Sequence, residues 1–415
     1  MKTIKNFFVL FTNRFALVVA VQIVAAGFAV TSFAAAQPAA EKEWTFLLFL
    51  NGHNNLSSYG DMNIKDMEKS GSTDQVNLVV DWGTARDNIN RRLLVQKSTN
   101  PSKVTSPTLM ETKDVDMGDY KNLVDFVRWG VENFPAKHYF VAVWNHGSGW
   151  NFREMRIKSG GMPITINDIS YDDNSGNRIT TEELGIAMGQ IKQIIGRNID
   201  IYGSDACLMQ MIEVANEMKD SVDYFVGSQD LEPGEGWPYE TFMKAWTQKP
   251  TTTPAELSIS LSKEYLKAYS RGGVYGENDV TFSALDMSKL NDLNASITQL
   301  VTHLKSLDAA SIKKIKMAAA NSQEFYTADF KDLGDFLKRV EALPIRTDKE
   351  LFAQIKGNLS NLVLTSDNSK SSFANATGLS VWIPGYKSSD MQRYSGLAFD
   401  KVTQWSTLLT TFNGL

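Results

Sequence analysis

Apolar residues fall along this chain in short, nearly unbroken runs separated by longer stretches of helical spacing. Trp44–Leu50, Val76–Trp82, Tyr139–Trp144 and Ile199–Gly203 are such runs, with shorter ones at Arg92–Gln96 and Tyr224–Gly227. The first ends in Asn51-Gly52 and the third in Asn145-His146-Gly147. Runs of this kind read as strands buried on both faces. Between them the spacing predicts helices over Asp61–Ser70, Asp119–Phe134, Thr181–Ile195 and Leu208–Met218. In the second of these, Leu123, Phe126, Val127, Gly130 and Val131 share one face and Pro135 follows its end; the third opens with a capping box, Thr180 to Glu183. Strands alternating with helices predict an α/β fold, a mainly parallel sheet with helices on both faces. From Thr251–Pro254 the texture becomes mostly helical (Ala255–Tyr269, Leu290–Leu307, Ala309–Ala319, Leu333–Glu341), interrupted by one strand, Val280–Ala284. Gly378–Ile383 is a last strand, closed by Pro384-Gly385. No internal repeat is present.

The N-terminus differs from the rest. Lys2, Lys5 and Arg14 precede the apolar run Phe15–Val30 and the small-residue patch Ala34-Ala35-Ala36, and the first acidic residue is Glu41. This pattern predicts a signal peptide over 1–36, and hence an exported protein that is periplasmic, secreted or at the cell surface. The expected organisation beyond it is a core domain over 37–250, a mostly helical region over 251–376, and a strand and helix over 377–415 that pack back on the core. The 42 basic and 47 acidic residues give a formal charge of −5. That balance gives no sign of a nucleic-acid partner, and no later stretch is long and apolar enough to span a membrane. The chain has one cysteine, which excludes an intrachain disulfide. In an oxidising compartment a lone Cys207 is either a small buried hydrophobe or a nucleophile.

Open parallel sheets build their sites beyond the carboxyl ends of the strands. Two predicted strands end there in reactive side chains: VAVWNHGSGW delivers His146 and IDIYGSDACLMQ delivers Cys207. The helix expected from Leu208 would put Cys207 at or near a helix N-terminus, where the dipole stabilises a thiolate. Gly147-Ser148-Gly149 would let a substrate approach the backbone beside His146. A loop histidine and a core cysteine remain the alternatives for each residue taken alone.

NHGSGW, SDACLMQMIEVANEM, GSQDLEPGEGWPY and FLNGHNNL together resemble the clostripain family of cysteine peptidases, which shares the caspase-like fold with caspases, gingipains and legumain. The resemblance covers about Trp44–Trp246 and continues in TFSALDMSKL, DLGDFLKRV and GLSVWIPGY. It implies His146 and Cys207 as a catalytic dyad, with the backbone N–H groups of Gly147 and Cys207 as the oxyanion hole. It implies Asp205 as the acid that pairs with an Arg or Lys side chain at P1. Glu235 is a candidate second acid of that pocket. The implied partners are proteins or peptides with basic P1 residues, and the expected state is a monomer. Relatives are often cut between the two motifs; here Arg156, Lys158 and Arg153 are the candidate self-cleavage points, giving a two-chain form.

Departures and exclusions complete the reading. His53 stands where relatives commonly carry an acidic or small residue, and it is given no role. His138 and His303 read as structural or exposed. Asp172–Glu183 only faintly resembles a calcium loop, with its glycine out of place, and reads better as a turn and helix cap. The sequence requires no cofactor, although the resemblance admits calcium dependence. The alternative function is a non-catalytic surface or binding protein on a caspase-like scaffold.

Overall fold

The computed structural model describes residues 41–150 and 168–414, together with the backbone of two short strands, Arg153–Met155 and Ile164–Ile166. The expected signal peptide, Arg156 and Lys158 lie outside the described residues, as does the Arg153 side chain. Among the described residues thirteen strands occur in chain order: β1 Lys42–Gly52, β2 Val76–Thr84, β3 Ile89–Leu94, β4 Thr108–Lys113, β5 Ala136–Trp144, β6 Arg153–Met155 and β7 Ile164–Ile166. The remainder are β8 Ile199–Asp205, β9 Val222–Gly227, β10 Thr281–Asp286, β11 Phe330–Asp332, β12 Val363–Asn368 and β13 Ser380–Trp382.

Nine of them form one sheet in the order β12-β10-β9-β8-β5-β1-β2-β3-β4. The middle five, β9, β8, β5, β1 and β2, run parallel. Each edge then turns antiparallel: β3 and β4 on one side, β10 and β12 on the other. Strands β10 and β12 come from the mostly helical C-terminal stretch, which therefore builds part of the sheet. The described residues all belong to one compact unit.

The apolar runs are continuous because each face of the sheet carries its own core. Leu47, Phe49, Val141 and Val143 point into one cluster, built with the helices Tyr120–Asn133, Thr181–Ile195, Ile212–Met218 and Leu290–Lys305. Their neighbours Phe46, Leu48, Phe140 and Ala142 point into the other, built with Ser57–Glu68, Tyr239–Gln248 and Pro254–Ala268. The capping box at Thr180 and Glu183 is formed. Among the described residues no helix is long and apolar enough to cross a membrane.

Candidate active site

Strand pairing brings the two motifs together. In the parallel pair β5–β8, Trp144 lies opposite Asp205, and the Asn145 N–H donates to the Asp205 carbonyl (3.2 Å). His146 and Cys207 therefore leave adjacent strands at the same end of the sheet. Their backbones run close: a Cβ on Gly147 would lie 2.4 Å from the Cys207 carbonyl oxygen, so this position takes only glycine. Among the described residues, the N–H groups of Gly147 and Cys207 donate to no carbonyl or side-chain acceptor.

The first loop fixes the histidine. Asn51 and Asn54 each bind back onto a backbone N–H two residues on (3.0 and 2.9 Å), shaping the turn. That turn presents Asn55, whose Oδ1 lies 2.7 Å from His146 Nε2. An amide oxygen accepts, so Nε2 carries the ring proton and Nδ1 is the basic nitrogen. Asn145 joins the same framework: its amide donates to the Asn51 carbonyl (2.7 Å), and its Oδ1 accepts the Tyr171 N–H (2.9 Å). Sequence reasoning missed Asn55; its one signal was its place in the loop that follows a strand neighbouring the histidine's own.

Cys207 is half-buried, and its setting corrects an expectation. The helix begins at Ile212, not at Leu208. Leu208 turns in the left-handed region (φ 66°). The chain then runs beside 228–230, with the Leu208 N–H bound to the Asp230 carbonyl and the Gln210 N–H to the Ser228 carbonyl. Burial of the apolar Leu208, Met209 and Met211 in the core draws this segment out straight before the helix starts. The thiol thus lacks the helix dipole. Burial pushes it up to about 12, reinforced by the charges of Glu232 and Asp230. Its Sγ accepts the Glu232 N–H (3.2 Å) and lies 3.8 Å from the Glu232 carbonyl oxygen. Burial also pushes His146 down to about 4. No hydrogen bond joins Sγ to the imidazole among the described residues. The pair rests as neutral thiol and neutral imidazole rather than as a preformed ion pair.

Asp205 points to the face of the sheet that carries Phe46 and Phe140, as do Ile201 and Gly203 on β8. It is buried and accepts the Tyr239 hydroxyl (2.7 Å) and, more weakly, the Trp237 N–H (3.4 Å). The loop over it passes close: a Cβ on Gly236, whose φ is +65°, would sit 2.9 Å from Asp205 Oδ1. The carboxyl facing Asp205 is Glu232, and burial raises the pKa of both. Sequence reasoning missed Glu232 as well. Glu235 lies three residues further along the half-buried loop, with its carbonyl held by the Asn63 amide (2.9 Å). Its charge reaches Tyr269 and Tyr275.

The other histidines are used within the fold. His53 is buried, with Nδ1 2.8 Å from Asp172 Oδ2. Asp172 also accepts N–H bonds from Met117, Asn174 and Ser175. These contacts occupy its carboxylate, which suits a turn and not a cation loop. His138 pairs with Asp200 (2.7 Å), and the half-buried His303 lies 3.2 Å from the Arg346 carbonyl oxygen. Among the described residues no three His, Cys, Asp or Glu side chains converge to hold a metal ion.

Comparison with known proteins agrees with this architecture. The sequence matches the clostripain-family profile over residues 48–412. Clostripain of Hathewaya histolytica is 23% identical over 343 residues, which cover 73% of this chain and 63% of that protein; the chain spans less than two thirds of this relative's length. A secreted C11 cysteine protease of Bacteroides thetaiotaomicron, solved with an irreversible peptide inhibitor, superposes with a TM-score of 0.65 at 20% identity. That match covers 89% of this chain and 99% of the other. An inactive zymogen C11 protease of Parabacteroides distasonis gives a TM-score of 0.65 at 17% identity, covering 88% and 99%. At these identities the structural likeness speaks for the fold, which is caspase-like. With the family profile matched over most of its length, the chain belongs to the clostripain family of cysteine peptidases.

Proposed function

We propose that this chain is an exported cysteine endopeptidase that cuts after Arg or Lys. The observation that carries the reading is the buried carboxyl of Asp205, two residues before a strand-end thiol and beside the strand that delivers His146. A carboxylate at the base of a cleft selects a long cation and repels an acidic side chain. Asp205 takes the P1 cation, with Glu235 on the wall of the same pocket. Cys207 Sγ attacks the carbonyl carbon after that residue and its proton passes to His146, so a carbon–sulfur bond forms and the carbonyl becomes an oxyanion. The N–H groups of Gly147 and Cys207 receive that oxyanion. Its collapse breaks the carbon–nitrogen bond, and His146 returns the proton to the leaving amine. Water then adds to the thioester, releases the acid and restores the thiol. No step draws on a cofactor.

Export rests on the N-terminal pattern and on the description of the Bacteroides thetaiotaomicron relative as secreted. We also infer self-cleavage after Arg156 or Lys158, or after Arg153, to a two-chain monomer. The test is a set of fluorogenic peptides with Arg, Lys, Asp or Asn at P1, given to wild type and Cys207→Ala, with an intact mass of each protein. The expected result is turnover of the Arg and Lys peptides only, lost by at least about a thousandfold in the variant. A mass split between His146 and Cys207 is expected in wild type alone. Absence of turnover on every peptide, with or without added calcium, would move the assignment to a binding scaffold.

A further inference from the structure

The acidic base of the cleft holds a second carboxyl that the proposed peptidase reaction has not used. Glu232 is only partly buried as a residue, yet both its carboxylate oxygens are shut off from solvent and neither receives a well-formed hydrogen bond among the described residues. The Ala206 N–H is directed at the same carboxyl at poor geometry. Its other neighbours offer little. Asp205 on β8 faces it carboxyl to carboxyl, and Asp205 already takes the hydroxyl of Tyr239 from the helix Tyr239–Gln248. From the helix Pro254–Ala268 comes Tyr265, fully buried, whose hydroxyl has no partner and lies in the field of Glu232, Asp205 and Cys207. The Tyr269 hydroxyl, beyond that helix, is committed to the Gly236 carbonyl (2.7 Å). Among the described residues no Lys, Arg or His pairs with either carboxyl.

Two ionised carboxylates cannot share a dry site without a cation, because like charges at contact and the loss of water both oppose ionisation. Something positive must sit between them: a proton, or a cation brought from outside.

We propose that Asp205 and Glu232 form one exchange site, holding a shared proton when the cleft is empty and the P1 guanidinium or ammonium group when it is occupied. Glu232 is then a specificity residue for the basic side chain, and Tyr265 supplies a further polar contact at the pocket base. Binding a basic P1 residue expels the shared proton to solvent. The raised pKa values of both carboxyls, set by burial, agree with this. Affinity for a basic P1 residue therefore climbs with pH across the range in which the empty pair gives up its proton. The inference rests on the Arg/Lys reading above, and its test separates the two.

The probe is a short peptide amide ending in Arg, titrated calorimetrically near pH 6 into Cys207→Ala protein in two buffers of different ionisation heat. The expected release is about one proton per peptide bound, falling to roughly half or less in Cys207→Ala/Glu232→Gln, where Asp205 alone can hold one. On the active background, Glu232→Gln should lower kcat/KM for Arg peptides by roughly 10- to 100-fold, chiefly through KM. Proton release that is the same with and without Glu232, or an unchanged KM, overturns the inference while the Arg/Lys reading stands. Should the Gln variant fail to fold, zero release by Cys207→Ala alone overturns it. If wild type shows no preference for basic P1 peptides, the Arg/Lys reading falls and this inference with it.

Discussion

Among the described residues, His146 is oriented by one side-chain hydrogen bond, to an exposed residue. Asn55 is exposed, so its removal leaves the core untouched. It is also the partner of Nε2, at 2.7 Å, and without it either ring nitrogen can carry the proton. Asn55→Ala should lower kcat by roughly 10- to 100-fold and leave KM nearly unchanged. The pH profile gives the sign. The amide oxygen favours the charged ring, so its loss lowers the histidine pKa and moves the acid limb of kcat/KM to lower pH. Asn55→Asp puts a carboxylate there and moves the limb up. Equal kcat and superimposable profiles for the three proteins would show that Asn55 does not position the ring. That His146 and Cys207 leave one end of the sheet was legible because strand-end motifs keep their own local sequence, and the place of Asp205 because it sits two residues from the thiol. Asn55 and Glu232 were not, because each reaches the site from a separate loop, 91 residues from His146 and 25 from Cys207. Nothing in local spacing encodes the path of those loops.

Among the elements, the parallel strands were readable because both faces are buried and their sequence is apolar throughout. The antiparallel edges were harder. Strand β4 is exposed along its whole length, and the edge strand β12 mixes apolar and polar residues. The short β8–helix connection misled for a related reason: Leu208, Met209 and Met211 continue the helical apolar pattern but serve the core from an extended segment. One element that sequence gave no reason to notice is the four-residue helix Met391–Tyr394. Its Arg393 bonds Asp168 (Nη1 to Oδ1, 3.1 Å) and Glu182 (Nη2 to Oε2, 2.6 Å), and lies over the Trp150 ring. Asp168 is buried, and its carbonyl accepts the Ser148 N–H (2.8 Å) two residues after His146. The C-terminal segment thus holds the histidine loop through Asp168. Arg393→Met leaves a buried carboxylate without its cation and should cost about 1–3 kcal/mol, the lower end allowing for the partial exposure of the guanidinium. Adding Asp168→Asn should recover part of that loss. Urea unfolding of the two variants checks this, and a double variant no more stable than the single would count against the clamp.

At the scale of the whole molecule, several carboxyls are sealed inside with hydrogen bonds but no cation, and they make its stability respond to pH in an unusual direction. Glu213 is the clearest. It stands in the first turn of the helix that follows Cys207 and ties three segments together. Its Oε1 accepts the Trp382 N–H from β13 and the Tyr394 hydroxyl from the helix Met391–Tyr394 (both 2.9 Å), while Oε2 has no partner among the described residues. Burial pushes its pKa up to about 7. An acid whose pKa is higher folded than unfolded binds more protons in the native state between the two values, so stability falls as pH rises through that interval. For Glu213 the interval runs from the ordinary glutamate range near 4.5 to about 7. Asp332 is raised by burial in the same way, and so are Asp81 and Asp168 although Arg92 and Arg393 stand beside them. His146 acts in the opposite sense, since burial keeps it neutral and stability is lost as pH falls from the usual histidine range towards 4. Glu213→Gln separates the two trends. The amide oxygen keeps both accepted hydrogen bonds, and its NH2 group carries no charge to desolvate. The variant should match wild type near pH 4, where Glu213 is protonated in both states. By pH 8 it should be more stable by about 1–3 kcal/mol. Denaturant midpoints for the two proteins across that range decide the matter. A difference that does not grow with pH would mean that Glu213 is ionised in the folded protein, with a cation or water reaching Oε2.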